Sequence, residues 1–199
     1  SDGIYYFIID KDNNRVAVVD DGYFYNDTEA YFMCDTPEYY SSLRNFGDKG
    51  YTGCYKWNID IPSTVEHDGK TYTVTRIHYA AFAGCEDLLS VKLPSTIDDI
   101  WDGAFFNCPK LKTVAMTDVS CKMGAELFGM CPSLETLDLS LHDHLSSIYF
   151  SSHFYSEVHC TSLREITLPT VFDNWCRLDD MPKDEATGVP VLKALKTKN

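Results

Sequence analysis

The chain has 199 residues, 44% of them hydrophobic and 24% charged, which is typical of a folded protein with one sizeable core or one elongated array. Its 30 acidic and 17 basic residues give a formal net charge of −13, and a field of that sign disfavours nucleic acid and anionic lipid as partners. No apolar run approaches the roughly 18 residues that a membrane-spanning helix needs, so direct membrane insertion of this segment is not expected.

The N-terminal segment has the pattern of a β-hairpin. The runs IYYFIID and RVAVVD flank a polar turn at residues 11–14. Residues 1–55 are predicted to form an N-terminal β cap for the repeats that follow, because terminal repeats expose apolar core and unpaired strand edges. Residues 27–53, rich in Tyr, Gly and Asp, show no assignable pattern. The segment also lacks the basic and apolar regions of a signal peptide. The protein is therefore either cytosolic or secreted by means of a signal peptide that precedes Ser1.

A second hairpin is predicted within the first repeat. Pro62 and Pro94 occupy equivalent positions but lie 32 residues apart, nine more than the spacing of the later repeats. The extra residues, near 63–73, include the pair Asp68-Gly69, which favours a type I′ turn. An alternating run follows this pair at Tyr72, Val74 and Arg76.

Residues 56–170 are predicted to be repeats with a period of 23 residues. Aligned on cysteine, four copies read AFAGCEDLLSVKLP, AFFNCPKLKTVAMT, LFGMCPSLETLDLS and SEVHCTSLREITLP. In each copy a leucine follows the cysteine by three residues, and apolar residues follow it by six and by eight. In the first three copies a phenylalanine precedes the cysteine by three residues, and an isoleucine or methionine precedes that ring by five. The four aligned cysteines, 23, 23 and 29 residues apart, are Cys85, Cys108, Cys131 and Cys160.

The repeated unit predicts a stacked architecture. Each copy ends in alternation of buried and exposed positions, as in VKL at residues 91–93, which indicates a short strand with one buried face. A unit of this length cannot bury its apolar stripe alone, whereas stacked units share a continuous core. Parallel strands about 4.8 Å apart would then form a sheet along one side. The predicted fold class is therefore a β-rich α/β repeat solenoid, short and right-handed, with the parallel sheet on its concave face and the β-hairpin cap at its N-terminus.

The C-terminal part departs from the period. The last repeat carries six extra residues near 141–158, which we expect to bulge on the loop side. After Pro169 the pattern ends, and residues 179–188 read as a polar linker. Residues 171–199 are predicted to be a C-terminal cap or tail, with VPVLKALKTKN left open as a strand, a helix, a cap or a disordered end.

The repeat resembles a known family. The pattern I-x-x-x-A-F-x-x-C-x-x-L-x-x-[VI]-x-L-P is similar to the BspA-like leucine-rich repeat, and residues 77–94 match it at every defined position. The next copy departs at Met116 and Thr117, the third carries Met123, Leu127 and Ser140, and the last keeps only its later positions. The resemblance covers about residues 59–169. It implies a leucine-rich-repeat solenoid, a non-enzymatic role, and an extracytoplasmic location at the bacterial cell surface or in secreted form, with a signal peptide or lipid anchor expected before Ser1.

The repeated cysteines are predicted to have a structural role. Zinc sites need paired ligands two to four residues apart, and the sequence holds no such cysteine pair. A nucleophile would not recur once per repeat, and in-register Cβ atoms about 4.8 Å apart exceed the roughly 3.5–4.5 Å of a disulfide. Buried thiols remain, because free cysteine packs as a small hydrophobe with a weak donor. Outside this ladder lie Cys121 and Cys176, together with Cys34 and Cys54, which form a disulfide in a secreted protein or remain isolated thiols.

No catalytic, metal or cofactor site is predicted. Four histidines fall in the lengthened loop, but a loop rich in Ser and His needs no metal. Acidic pairs such as Asp98-Asp99 do not form an EF-hand, and the carboxylates from Asp10 onward read as a polar turn. Nucleophile-elbow, P-loop and dinucleotide motifs do not occur in the sequence. The four histidines are His142, His144, His153 and His159.

The outward face of the predicted sheet is the candidate partner-binding surface. Its side chains alternate with the buried ones, are small and mostly polar, and include no aromatic anchor. Trp101, beside a core position, is expected to pack. The face favours an interaction module for a protein or glycan partner, and the family resemblance implies an extracytoplasmic location and a role in adhesion. A structural spacer of a larger surface protein is the alternative. The candidate face consists of Ser90, Lys92, Thr113, Ala115, Thr136, Asp138, Glu165 and Thr167.

Overall fold

A computed structural model of the chain describes residues 3–20, 55–116, 119, 121–124, 127–139, 160, 162–168 and 194–197, the backbone alone at 168 and 194–197. These residues form twelve strands in two six-stranded sheets, called sheet A and sheet B below. Sheet A contains β1 (Tyr5–Asp10), β2 (Arg15–Val19), β4 (Thr64–His67), β5 (Lys70–Ile77), β7 (Asp99–Ile100) and β9 (Lys122–Met123). Sheet B contains β3 (Trp57–Asp60), β6 (Leu88–Lys92), β8 (Thr113–Ala115), β10 (Thr136–Asp138), β11 (Glu165–Leu168) and β12 (Ala194–Thr197).

The repeats stack in register, as their sequence predicts. All strands of sheet B run parallel, in the order β12-β11-β10-β8-β6-β3. Val91, Val114, Leu137 and Ile166 are register partners along the sheet, and all four are buried. Equivalent positions of successive repeats therefore lie on neighbouring strands and share one core.

Sheet A is a feature that the sequence analysis missed. Its strands β7 and β9 are two residues long: β7 pairs parallel with β5 through Ile100 and Ile77, and β9 pairs parallel with β7 through Met123 and Ile100. These are the isoleucine and methionine positions of the repeat, and all three are buried. Each of these repeats thus contributes one strand to each sheet, and the apolar residues of both strands face the core between the two sheets.

The α component of the predicted fold class is wrong for the part of the chain that the structure describes, which contains no helix. In the first three repeats the loop side consists of turns with a left-handed residue directly before the cysteine: Gly84 (φ 68°), Asn107 (φ 55°) and Met130 (φ 58°). A right-handed helix cannot continue through a positive φ, so these three repeats reverse through tight turns instead.

Both predicted hairpins are present. Strands β1 and β2 pair antiparallel, and the Asp10 carboxylate accepts the backbone N–H groups of Asp12 and Asn13 in the turn between them. Strands β4 and β5 pair antiparallel around Asp68 (φ 49°) and Gly69 (φ 72°), the two positive values that define the predicted type I′ turn.

Predictions for the remaining segments have mixed outcomes. The chain end forms β12, parallel to β11, so the strand alternative for VPVLKALKTKN holds at residues 194–197. The lengthened loop at 141–158, the polar linker at 179–188 and residues 27–53 lie outside the described residues. The boundaries of the cap, repeats and tail remain predictions.

No helix long and apolar enough to cross a membrane occurs in the described ranges.

A column of aromatic rings runs through the core. Phe82 and Phe105 stack with centroids 5.3 Å apart, and Phe105 and Phe128 stack at 5.6 Å. Tyr55 extends the column to the first coil, with its centroid 4.7 Å from that of Phe82. All four rings are buried, so the aromatic position of the repeat is the place where neighbouring repeats pack on one another.

A ladder of buried thiols runs beside this column, as the sequence predicts. Cys108 and Cys131 each place their Sγ 3.0 Å from the carbonyl oxygen of the phenylalanine in the preceding repeat, Phe82 and Phe105 respectively. Cys160 repeats this contact with the carbonyl of Phe128 at 3.2 Å. These cysteines and Cys85 form no disulfide and are fully buried. The thiols of Cys108, Cys131 and Cys160 therefore act as filler and as weak donors, each linking its repeat to the preceding one.

This contact predicts how substitutions at Cys108 behave. Cys108→Ala removes buried sulfur and its hydrogen bond, and we expect it to lower the free energy of unfolding by about 1–2 kcal/mol. Cys108→Ser keeps a donor for the Phe82 carbonyl, so its loss should be no larger than that of alanine. Urea denaturation of both variants checks this expectation. A serine variant much less stable than the alanine variant would mean that the position tolerates no polar donor and that the thiol is purely apolar filler.

Candidate functional site

The candidate surface is the outward face of sheet B. Ser90, Thr113, Thr136 and Glu165 form one row of register partners across the sheet. A second row lies two residues further along the strands, with Lys92 beside Ala115 and Asp138 beside Thr167. All eight predicted residues are exposed or half-buried. The structure therefore brings the predicted set together on one face, opposite the buried row.

Strand β3 extends this face by one strand beyond the predicted set. Ser90 Oγ donates to Asn58 Oδ1 at 2.7 Å, and Lys92 Nζ lies 3.5 Å from Asp60 Oδ2. Both acceptors belong to β3, whose residues Asn58 and Asp60 are register partners of Ser90 and Lys92. The two rows therefore begin at Asn58 and Asp60.

Charged pairs tie the beginnings of the strands together. Lys110 Nζ lies 2.7 Å from Asp87 Oδ1, and this contact lowers the pKa of Asp87 and raises the pKa of Lys110. One repeat further on, Glu135 pairs with both Lys112 and Arg164. These groups are largely exposed, so the pairs add little stability. They fix the charge pattern of this end of the face, since each cation is held near an acidic partner.

Trp57 is the functional candidate that sequence reasoning missed. It begins β3, its side chain is 63% exposed, and Tyr5 is the only other large hydrophobic residue exposed among the described residues. Its backbone has a φ of 63°, unusual for a bulky residue, and its N–H donates to the Asp87 carbonyl at 2.8 Å. Tryptophan is the residue type most enriched among binding hot spots, so an exposed aromatic side chain is available at the start of the strand that borders the face.

Trp101 packs against sheet A, as expected. Its ring contacts the Arg76 guanidinium, 4.6 Å from the centroid, and the His78 ring, with centroids 4.4 Å apart. Its Nε1 donates to Asp99 Oδ2 at 2.7 Å, and the same oxygen lies 3.2 Å from Arg76 Nε. The cluster fixes four side chains to one another, which is the arrangement of a packed surface rather than of a reactive site.

The described thiols with shifted pKa values are held in their protonated form. Burial raises the pKa of the Cys108 and Cys160 thiols, and burial together with the nearby acidic residues raises the pKa of Cys121 to about 12, so these thiols stay protonated at neutral pH. No group of three or more His, Cys, Asp or Glu side chains able to hold a metal occurs in the described ranges. The residues of the remaining candidate groups lie outside those ranges: Cys34, Cys54, Cys176, His142, His144, His153 and His159.

The fold and the face define a repeat protein of the leucine-rich type with a polar sheet surface. Comparison with known proteins makes the class specific: residues 44–176 match the family described as BspA type leucine rich repeat region (6 copies). The match spans well over half of the sequence, and the chain belongs to this family.

Two solved structures show more distant similarity. A leucine rich cell surface protein from Faecalibacterium prausnitzii A2-165 is 20% identical with a TM-score of 0.44, over 84% of this chain and 41% of that one. A leucine-rich repeat protein from Bacteroides ovatus ATCC 8483 is 19% identical with a TM-score of 0.38, over 85% of this chain and 52% of that one. The chain thus spans about half the length of these structures or less. No curated protein matches the sequence.

Proposed function

We propose that this chain is a non-enzymatic interaction module that binds a partner protein through the outward face of sheet B. In this proposal the repeats form a short right-handed solenoid with sheet B on its concave side. The observation that carries the proposal is the exposed Trp57 at the first strand of a face whose polar rows are in register.

The chemistry of the face supports a protein partner. Lys92 and Asp138 are exposed charges of opposite sign, and the side chains between them are small. A rigid sheet presents these groups without an ordering penalty on binding, and a buried aromatic anchor surrounded by polar groups is the common organisation of protein interfaces. A glycan is the alternative partner, and a binding screen distinguishes it from a protein.

The test is a binding screen of the purified domain against arrays of host proteins and glycans, followed by titration of each hit. Two variants probe the face: Trp57→Ala, and a quadruple alanine variant at Lys92, Thr113, Asp138 and Glu165. We expect Trp57→Ala to weaken binding by at least about tenfold, since hot-spot residues contribute roughly 2 kcal/mol or more. Lys122→Ala, on sheet A, is the matched control and should bind like the parent. If both face variants also bind like the parent, the face is not the binding surface.

A spacer role is the second candidate, and the contacts within the face favour it. Lys92 pairs with Asp60 and Ser90 with Asn58, so part of the face is already satisfied internally. A spacer predicts that the full-length gene product keeps its function when this domain is replaced by an unrelated repeat array of equal length. The binding proposal predicts loss of function in the same exchange.

We also propose an extracytoplasmic location at the cell surface, which membership of the BspA-type family supports. Surface labelling of intact source cells with an antibody to this domain tests the location. Signal only after cell lysis would contradict it.

A further inference from the structure

We infer that a second binding site lies in a trough between the two hairpins, and that it takes an extended peptide segment of a partner protein. The peptide would carry apolar residues at alternate positions and a lysine or arginine between them. This site is separate from the face of sheet B, and the inference does not rest on the function proposed for that face.

The trough is bordered by strands of sheet A. Its four N-terminal strands lie in the order β1-β2-β5-β4, and a cavity of about 680 Å³ is lined by residues of both outer strands, β1 and β4. Val16 and Tyr72 are buried at its floor, and Tyr6 and Val65 are half-buried on opposite walls. Residues of both outer strands therefore border the same space. Its size is that of a typical ligand site, roughly 300–1,000 Å³.

The edge of β4 offers main-chain partners beside the trough. Because the turn has two residues, His67 and Lys70 form a pair that exchanges backbone hydrogen bonds. Along the hairpin, hydrogen-bonded pairs then alternate with pairs that are not hydrogen-bonded to each other. The N–H of Val74 donates to the Ser63 carbonyl at 2.9 Å, in keeping with this alternation. The N–H and C=O groups of Thr64 and Glu66 therefore point away from β5. Both residues are exposed and line the trough, so β4 can accept an added strand there.

The chemistry of the trough selects the peptide. Tyr6 and Tyr72 provide amphipathic rings for apolar side chains, which reach the same side of an added strand at every second residue. Glu66 is the acidic residue among the described lining residues, and no lysine or arginine lines the trough there. Together with a net charge of −13, this carboxylate favours a basic residue at a position between the apolar ones.

The test uses the whole chain and a displayed library of random ten-residue peptides. Selected peptides should alternate apolar and polar residues and contain lysine or arginine. The enriched peptide is then synthesised in three forms: unmodified, N-methylated at alternate residues, and N-methylated at the other set. Methylation of the peptide N–H groups that face β4 should weaken binding by about tenfold or more, because it removes the hydrogen-bond donors of the added strand. Methylation of the other N–H groups should have little effect on binding.

Protein variants test the same site from the other side. Glu66→Pro removes an outward N–H at a position where an edge strand tolerates proline, and should weaken peptide binding by about tenfold. Glu66→Lys should weaken binding by a smaller factor and more strongly at low salt. Glu86→Lys, an exposed site outside the trough, is the matched charge control and should bind like the parent. The methylated peptides need no change to the protein, so they decide the question even if a variant fails to fold.

Several outcomes would overturn the inference. These are a library that yields no binder, peptide binding insensitive to both methylated forms, and self-association of the chain that Glu66→Pro abolishes, which would make a second copy the occupant. A glycan that binds the trough in place of any peptide would also overturn it. Retained peptide binding by Trp57→Ala separates this site from the face of sheet B.

Discussion

Phe105→Ala is expected to lower the free energy of unfolding by about 3–5 kcal/mol. Phe105 is fully buried and stacks on Phe82 and Phe128, at 5.3 and 5.6 Å. Its removal leaves a cavity and breaks two ring contacts, each contributing about 0.5–1.5 kcal/mol beyond the area that it buries. Because these contacts join three successive repeats, the loss should weaken the coupling between the repeats on either side.

Chemical denaturation followed by tryptophan fluorescence measures this effect. Phe105→Leu fills most of the volume and should lose only about 1–1.5 kcal/mol. Tyr5→Ala, at a half-exposed ring outside the column, serves as the control and should change stability by less than about 1 kcal/mol. A Phe105→Ala variant as stable as the Tyr5→Ala variant would contradict the role of the aromatic column.

Acidification is expected to destabilise the fold through His78. Burial, together with the nearby Arg76 charge, lowers the pKa of His78 from 6.5 to about 4. In the unfolded chain the imidazole takes up a proton near pH 6.5, whereas in the folded chain it stays neutral until about pH 4. The unfolded state therefore binds more protons in this window, and stability falls as the pH is lowered from about 7 toward 4. The shift corresponds to a loss of about 2–3 kcal/mol over the window.

Urea denaturation of the parent and of His78→Gln at pH 7.5 and pH 4.5 isolates this contribution. The parent should lose about 2–3 kcal/mol more than the variant between the two values, since glutamine does not titrate. The lowered pKa values of Asp10 and Asp87 act in both proteins and so cancel in the comparison. Equal losses in the parent and the variant would show that His78 is not held neutral by the fold.

The sequence was sufficient for the long-range order of the repeats because an apolar residue or a cysteine recurs at each buried position. Cys108 and Cys131 mark the same place in successive copies, and the structure gives both the same thiol contact to the preceding repeat. The eight residues of the face follow from simple alternation around the buried row. Sheet A did not follow, because β7 and β9 are two residues long and too short to show alternation.

The sequence did not predict which side chains are exposed or which distant segments lie close together. Trp57 begins strand β3 and Trp101 directly follows strand β7, yet one is 63% exposed and the other packs against Arg76 and His78. The two tryptophans differ in that the backbone of Trp57 is left-handed, a conformation that no residue pattern predicts. The trough likewise depends on the approach of two hairpins that are distant in the sequence, β1 to β2 and β4 to β5.

The most direct test of the central claim is site-specific photocrosslinking to the partner identified by the screen. A benzophenone amino acid replaces Ala115, an exposed residue of the sheet B face, or Lys122, on sheet A. Adducts at position 115 and none at 122, with Trp57→Ala reducing the yield at 115, are the predicted result. Adducts at position 122 with none at 115 would contradict the claim that the face of sheet B is the binding surface.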